Sequence, residues 1–181
     1  MAHTEITSCL RYLYLRLLRD YYQVLRLITG LPVVERSRIT PNLFVGGQFS
    51  KRGFNRLRSW GITGVVSLQE RKPEMYMQVE GVEVLHLPTP DKTAPTISDL
   101  QEGVKFIKKQ IEGGGKVYVH CLWGEGRAPT MAIAYLISTG LTLEDAVSLV
   151  KKTRYFIKPT KGQMKVLEDF EKKFKLYKTS T

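Results

Sequence analysis

Cys121 and Arg127 stand at the two ends of a short glycine-bearing segment, with Gly124 and Gly126 between them. Residues of these types in this order fit the handling of a phosphate. Val117 to His120 reads as an apolar strand and Met131 to Ile137 as the body of a helix, so the segment Leu122-Trp123-Gly124-Glu125-Gly126-Arg127 joins a strand to a helix start. A helix N-terminus leaves backbone N–H groups unpaired, and successive loop amides can converge on the oxygens of one anion. The two glycines let the backbone curl. The same dipole end, with a guanidinium beside it, favours the thiolate of Cys121, the nucleophilic form, over the thiol. Arg127 offers a planar fork for two phosphate oxygens, a grip that tightens as equatorial charge builds during phosphoryl transfer.

The elements that must position this segment alternate along the chain. Ile39 to Gln48 contains a short strand, Ser50 caps a helix to about Trp60 with Phe54 and Leu57 inward, and Gly61 closes it before the strand Gly64 to Leu68. Gln69 to Gln78 is polar and holds Pro73, which predicts a loop leading into a short helix or turn; Val82 to Leu87 alternates as another strand, with His86 structural. A proline-rich loop, Pro88 to Pro95, follows. It presents Asp91, while Asp99 stands three residues after Thr96 at the start of a helical pattern through Val104, Phe106, Ile107 and Ile111. Asp99 therefore has a capping duty and Asp91 has none. Beyond the central strand Lys116 to His120, a helix runs to about Thr139, and Thr142 opens another with Leu143, Ala146, Val147 and Val150 inward. Lys151, Lys152 and Arg154 suit the dipole at its end. Thr160 and Gln163 have capping-box spacing ahead of a last helix carrying Val166, Leu167 and Phe170, and the lysine-rich end reads as a solvated tail. His120 neighbours Cys121 on a strand and so points to the other side, which excludes a Cys–His general-base pair. The pattern predicts an α/β fold, a central, mostly parallel sheet flanked by helices, with the loop at the carboxyl end of a central strand.

Residues Leu10 to Ile28 predict an additional N-terminal helix, with Leu10, Leu13, Leu17, Tyr21, Val24 and Ile28 near one face and Arg16, Arg19, Gln23 and Arg26 near another. Gly30-Leu31-Pro32 ends it, which divides the chain into a basic amphipathic helix within 1–32 and one domain over 33–181. Charges interrupt every apolar run, so neither a bilayer span nor a cleaved leader fits. Two readings of this helix stand: docking on the domain or on a second copy, and a membrane-surface helix facing anionic lipid.

A length of 181 residues suits one full-sized core plus an extra element, and a net charge of +11 favours anionic partners. The two cysteines, Cys9 and Cys121, are far apart, which argues against a disulfide framework and for a reducing, cytoplasmic setting, with the membrane periphery as the addition the basic helix brings. His3, His86 and His120 lack metal-type spacing, so no metal or other cofactor is expected. No interleaving of aromatic and basic residues marks a strand-binding groove, and nucleic acid is not an expected partner. Oligomeric state is left open.

The segment His120-Cys121 through Arg127 resembles the His-Cys-x5-Arg signature of the cysteine-dependent protein tyrosine phosphatases, and its surroundings, from about Arg38 to Lys173, resemble the dual-specificity branch. The resemblance implies that Cys121 is the nucleophile, Arg127 and the loop from Leu122 to Gly126 bind the phosphate, and Asp91 is the general acid. It also implies that His120 orients the loop and that Gln163 helps place the hydrolytic water. The implied reaction is phosphate monoester hydrolysis through a phosphocysteine. Phosphotyrosine, phosphoserine or phosphothreonine in protein is the first substrate class and an anionic phospholipid, of phosphoinositide or phosphatidylglycerophosphate type, the alternative. RNA 5′-phosphate chemistry comes third. The family usually has Ser or Thr directly after the arginine; here Ala128 stands there, with Thr130 as a possible substitute hydroxyl. That departure predicts a slow second step and an accumulating phosphoenzyme. Glu125 puts a negative charge on the phosphate loop, which requires its side chain to point outward or to pair with a base. Both departures leave a weakly active phosphate-binding module as the rival from another class.

Overall fold

The structure, a computed structural model, describes residues 2–30, 33–71 and 81–179, with side chains from 10 to 176 of these. Most of the turn predicted for Gln69 to Gln78, and the side chains of His3 and Cys9, lie outside the described residues. The elements are α1 (Ala2–Thr29), β1 (Leu43–Gly46), α2 (Lys51–Ser59), β2 (Ile62–Ser67), β3 (Glu83–His86), α3 (Ile97–Glu112), β4 (Lys116–His120), α4 (Arg127–Ser138), α5 (Leu143–Thr153) and α6 (Lys161–Thr179). The lysine-rich end, expected as a tail, continues α6 as helix to Thr179. One 3-10 turn, Val34–Arg36, precedes β1.

The sheet order is β1-β4-β2-β3, and every pair is parallel. Parallel strands put all their carboxyl ends on one edge, so the segments after β1, β2, β3 and β4 meet there. β4 lies inside the sheet and is apolar on both faces. Val117 and Val119 enter a core with α3, α4, α5 and α6, while Tyr118 enters the opposite core with Phe44, Phe49, Phe54 and Leu57. Each fully buried side chain of this size contributes about 1.5–3 kcal/mol relative to exposure. α4, buried from Arg127 to Ser138, anchors the larger core. The caps read from sequence are formed: Ser50 accepts from the Gly53 N–H, Thr142 accepts from the Asp145 N–H, and Thr96 and Asp99 make a reciprocal capping box.

α1 is amphipathic as its periodicity requires, and its most buried side chains are polar, with Leu15, Leu18, Tyr22 and Leu25 half-buried around them. Gln23 and Arg26 are buried, whereas Leu10, Leu13, Leu17, Tyr21, Val24 and Ile28 are exposed, Ile28 at 79%. Gly30 ends the helix with φ 67°, a left-handed geometry that glycine adopts without steric cost. Among the described residues no helix is long and apolar enough to cross a membrane.

Candidate active site

Cys121 follows β4 and is buried at the base of a cavity of about 190 Å³ that Asp91, Lys92, Trp123, Glu125, Gly126, Arg127, Lys158 and Gln163 also line. The loop above it curls because its carbonyls are drawn outward. Leu122 O accepts from the Gln48 N–H at 3.0 Å, Glu125 O from the Lys158 N–H at 2.7 Å and Gly126 O from the Thr130 N–H at 3.0 Å. Trp123 O accepts from Gln23 Nε2 at 3.1 Å, and Gly124 O accepts from Arg154 Nε and Nη2 at 3.1 and 3.0 Å. On the thiol side the Gly124 N–H donates to Cys121 Sγ at 3.3 Å. Gly124 has φ 73°, and a Cβ there would lie 2.4 Å from the Gly46 carbonyl carbon, so the strand β1 end and the loop meet backbone to backbone. An anion seated over Sγ would meet a ring of donors.

Arg127 opens α4, where Gly126 precedes the first helical residue. Its side chain is buried and donates through Nη1 to Leu68 O at 3.2 Å and Thr89 O at 2.7 Å, and through Nη2 to Asp91 Oδ1 at 2.7 Å. One guanidinium thus gathers the segments after β2 and β3 onto the loop after β4. Asp91 is about half exposed on the rim. Asp99 is spent on capping α3, as its spacing required, and Asp91 is the acid delivered to the site.

His120 is fully buried, with Nδ1 3.4 Å from Cys121 O and its ring against Phe49 and Tyr118. Desolvation pushes its pKa down to about 3, so the ring is held neutral. Gln163 is buried and closes the capping box of α6, its Oε1 accepting from the Thr160 N–H at 2.9 Å and its N–H donating to Thr160 Oγ1 at 3.2 Å. Its Nε2 also donates to Thr93 O at 2.7 Å, which ties α6 to the Asp91 segment. The capping reading of Gln163 is formed, and the same residue lines the cavity. Thr130 Oγ1 donates to Gly126 O at 2.9 Å, so its proton is committed to the helix start. Among the described residues no group of three or more His, Cys, Asp or Glu is placed to hold a metal ion.

One part of this scaffold was missed in the sequence, and another was left open there. Arg154, taken there as helix-end charge, is buried and spans Gly124 O, Val45 O and Arg36 O, stacking over Phe156 at 4.8 Å. The other is the inner face of α1. Arg19 Nε and Nη2 donate to Glu125 Oε1 and Oε2 at 2.9 and 2.8 Å, Gln23 Nε2 donates to Glu125 Oε1 at 2.8 Å, and Arg26 lies 5.6 Å from the Trp123 ring centroid. The expected basic partner of Glu125 exists, but it comes from a helix that the periodicity had set apart.

The family described as "Dual specificity phosphatase, catalytic domain" matches residues 43–173. The chain is 35% identical over 146 residues to phosphatidylglycerophosphatase and protein-tyrosine phosphatase 1 of Homo sapiens, covering 75% of this chain and 72% of that protein. It is 31% identical over 138 residues to dual specificity protein phosphatase 22 of Mus musculus, covering 75% and 73%. Among solved structures, PTPMT1 in complex with PI(5)P superposes with a TM-score of 0.71 at 29% identity, over 77% of this chain and 96% of that one.

Proposed function

We propose that this chain, which belongs to the dual specificity phosphatase catalytic-domain family, hydrolyses phosphate monoesters through a phosphocysteine, with phosphotyrosine, phosphoserine or phosphothreonine in protein as its first substrate class. The observation that carries the reading is the convergence of Cys121 Sγ, the outward-drawn carbonyls of its loop, Arg127 and Asp91 on one cavity.

In the first step Cys121 Sγ attacks phosphorus as the bond to the leaving oxygen breaks, and Asp91, entering as the carboxylic acid, gives that oxygen its proton. Arg127 and the amides of Leu122 to Gly126 stabilise the equatorial oxygens. A bound dianion draws the guanidinium to itself, which releases Asp91 from its pairing with Nη2. In the second step water attacks phosphorus, Asp91 carboxylate takes its proton, and the S–P bond breaks to return the thiolate. Gln163 holds the acid segment through Thr93 and helps place that water; His120 and Thr130 fix the two ends of the loop. Ala128 offers no hydroxyl to the departing thiolate, so the second step is slow. The test is hydrolysis of a small aryl phosphate by reduced wild type, Cys121→Ser and Asp91→Ala. Cys121→Ser should be inactive, Asp91→Ala should lose roughly 10²–10⁴-fold in rate, and wild type should show a product burst before the steady state. A wild type that binds phosphate yet turns nothing over indicates the binding-module reading, which Ala128→Ser then probes.

A second reading, an anionic phospholipid substrate, is favoured by one feature. Among the described residues nearly all exposed large hydrophobic side chains lie on α1 or on the phosphate loop itself, at Leu122 and Trp123. A broad apolar stripe beside basic residues suits the surface of an anionic bilayer. The solved structure of PTPMT1 in complex with PI(5)P, to which this chain is similar, supports this reading. In this reading the segment within 1–32 attaches the domain over 33–181 to a membrane periphery on the cytoplasmic side. Phosphoinositide in vesicles compared with a phosphopeptide, at equal phosphomonoester concentration, separates the two substrate classes through kcat/KM.

A further inference from the structure

Glu125 is the only acidic side chain between Cys121 and Arg127, and it lines the cavity that receives the phosphate. Left unpaired there, a carboxylate repels the dianion that the loop exists to bind. The structure shows what removes that repulsion. Arg19 lays both arms of its fork along the carboxylate, Nε to Oε1 at 2.9 Å and Nη2 to Oε2 at 2.8 Å, and Gln23 Nε2 adds a third donor at 2.8 Å. The donors are themselves held: Arg19 Nη1 donates to Asp20 at 2.7 Å, and Arg26 Nε donates to Gln23 Oε1 at 3.1 Å, fixing which end of the amide faces the loop. Arg26 then donates to Gln48 O, whose residue in turn binds Leu122 O through its N–H. From the other side the Lys158 N–H takes Glu125 O, so main chain and side chain of Glu125 are pulled to different walls.

We propose that Arg19, oriented with Gln23 on the inner face of α1, is a positioning residue that neutralises Glu125 and holds its carboxylate away from the substrate phosphate, so that α1 completes the phosphate site. The inference rests on the phosphate-binding reading of the loop and goes beyond it in assigning catalytic architecture to a helix outside the region that the family match covers. Glu125 is mostly buried while Arg19 is partly exposed, so the pair sits at the margin of solvent, where a unit charge is screened but not cancelled. Loss of Arg19 should therefore act on ground-state and transition-state phosphate alike, raising KM more than it lowers kcat.

The experiment uses the full chain as wild type, Arg19→Met, Glu125→Gln and the double variant, reading inorganic phosphate binding by calorimetry and kcat/KM on an aryl phosphate. Arg19→Met should weaken phosphate binding about tenfold, mostly through KM, with the deficit shrinking as salt is raised. The double variant should regain most of the loss, because removing the carboxylate removes what Arg19 was there to neutralise. A double variant no better than Arg19→Met shows a structural clip alone and overturns the proposal, as does an Arg19→Met that binds phosphate like wild type. Should Arg19→Met not fold, Arg19→Gln, similar in helix propensity, takes its place in the same comparison. If even wild type fails to hydrolyse the aryl phosphate, the phosphatase reading falls while the binding comparison still decides this one.

Discussion

α4 and α1 both hold the loop between Cys121 and Arg127, and the two helices do so by different means. α4 is buried from end to end, carries Arg127 as its one charge, and spends that charge on Leu68 O, Thr89 O and Asp91. α1 buries Gln23 and Arg26, half-buries Leu15, Leu18, Arg19 and Leu25 beside them, and leaves Leu10, Leu13, Leu17 and Leu27 in solvent. In α4 the apolar packing that holds the helix and the chemistry at its tip are continuous, so the arginine is positioned by the core. In α1 half-buried Leu15, Leu18, Tyr22 and Leu25 are joined by directed hydrogen bonds to Glu125, Trp123 and Gln48. The apolar surface is free for something else.

This contrast predicts unequal costs. Arg127→Lys keeps the charge but loses the fork, and Leu68 O and Thr89 O lose their donor as well as the phosphate its clamp. We expect kcat/KM on an aryl phosphate to fall roughly 10³-fold or more, against about tenfold for loss of Arg19. Comparable losses at the two arginines would erase the distinction between a core-positioned clamp and a surface-positioned neutraliser.

The same contrast explains what could be read from sequence. Cys121, Arg127 and the strand and helix around them announced themselves because the residues that do chemistry interrupt two strongly apolar segments. The capping duty of Asp99 was legible from its spacing, the general-acid role of Asp91 was only what the resemblance implied, and Asp91 lies against Arg127. α1 was legible as a helix but not as to which face it buries, since periodicity reports amphipathicity without naming the partner. Here the partner surface is a loop whose carbonyls point outward, so it takes side-chain donors as well as side-chain carbon. Arg154 was invisible for a related reason: a basic residue at a helix end looks like dipole compensation, and only the fold reveals that Gly124 O, Val45 O and Arg36 O converge on it. The strand order, with β4 brought between β1 and β2, depends on long-range pairing that no local pattern encodes.

Acid should test the core-positioned side of the loop. His120 has its pKa lowered to about 3 by burial, from an ordinary value of 6.5, so between those values the unfolded chain takes up a proton that the folded chain refuses. Stability contributed by the neutral ring is full above pH 6.5 and is lost as pH falls toward 3. The slope is at most about 1.4 kcal/mol per pH unit from this group. Urea unfolding of wild type and His120→Asn across that window should show a shallower acid limb in the variant. Parallel limbs would mean that the buried ring does not govern the acid response.

The smallest effect on the isolated protein is expected on the outward face of α1, and there the smallness is informative. Leu13 and Leu17 are exposed at 52% and 60%, so Leu13→Gln/Leu17→Gln should change unfolding free energy by no more than about 0.5 kcal/mol per site and leave aryl phosphate turnover at the wild-type level. Neither side chain supports the domain. If that face meets an anionic bilayer, the same pair should reduce flotation with phosphatidylserine vesicles about tenfold or more, since each leucine carries a transfer free energy of about 1.5–3 kcal/mol when fully buried. Loss of a wild-type dimer in sedimentation, with flotation unchanged, would instead make a second copy the occupant. A large loss of stability with neither change would mean that the leucines are already packed, and that α1 faces inward by its apolar side after all.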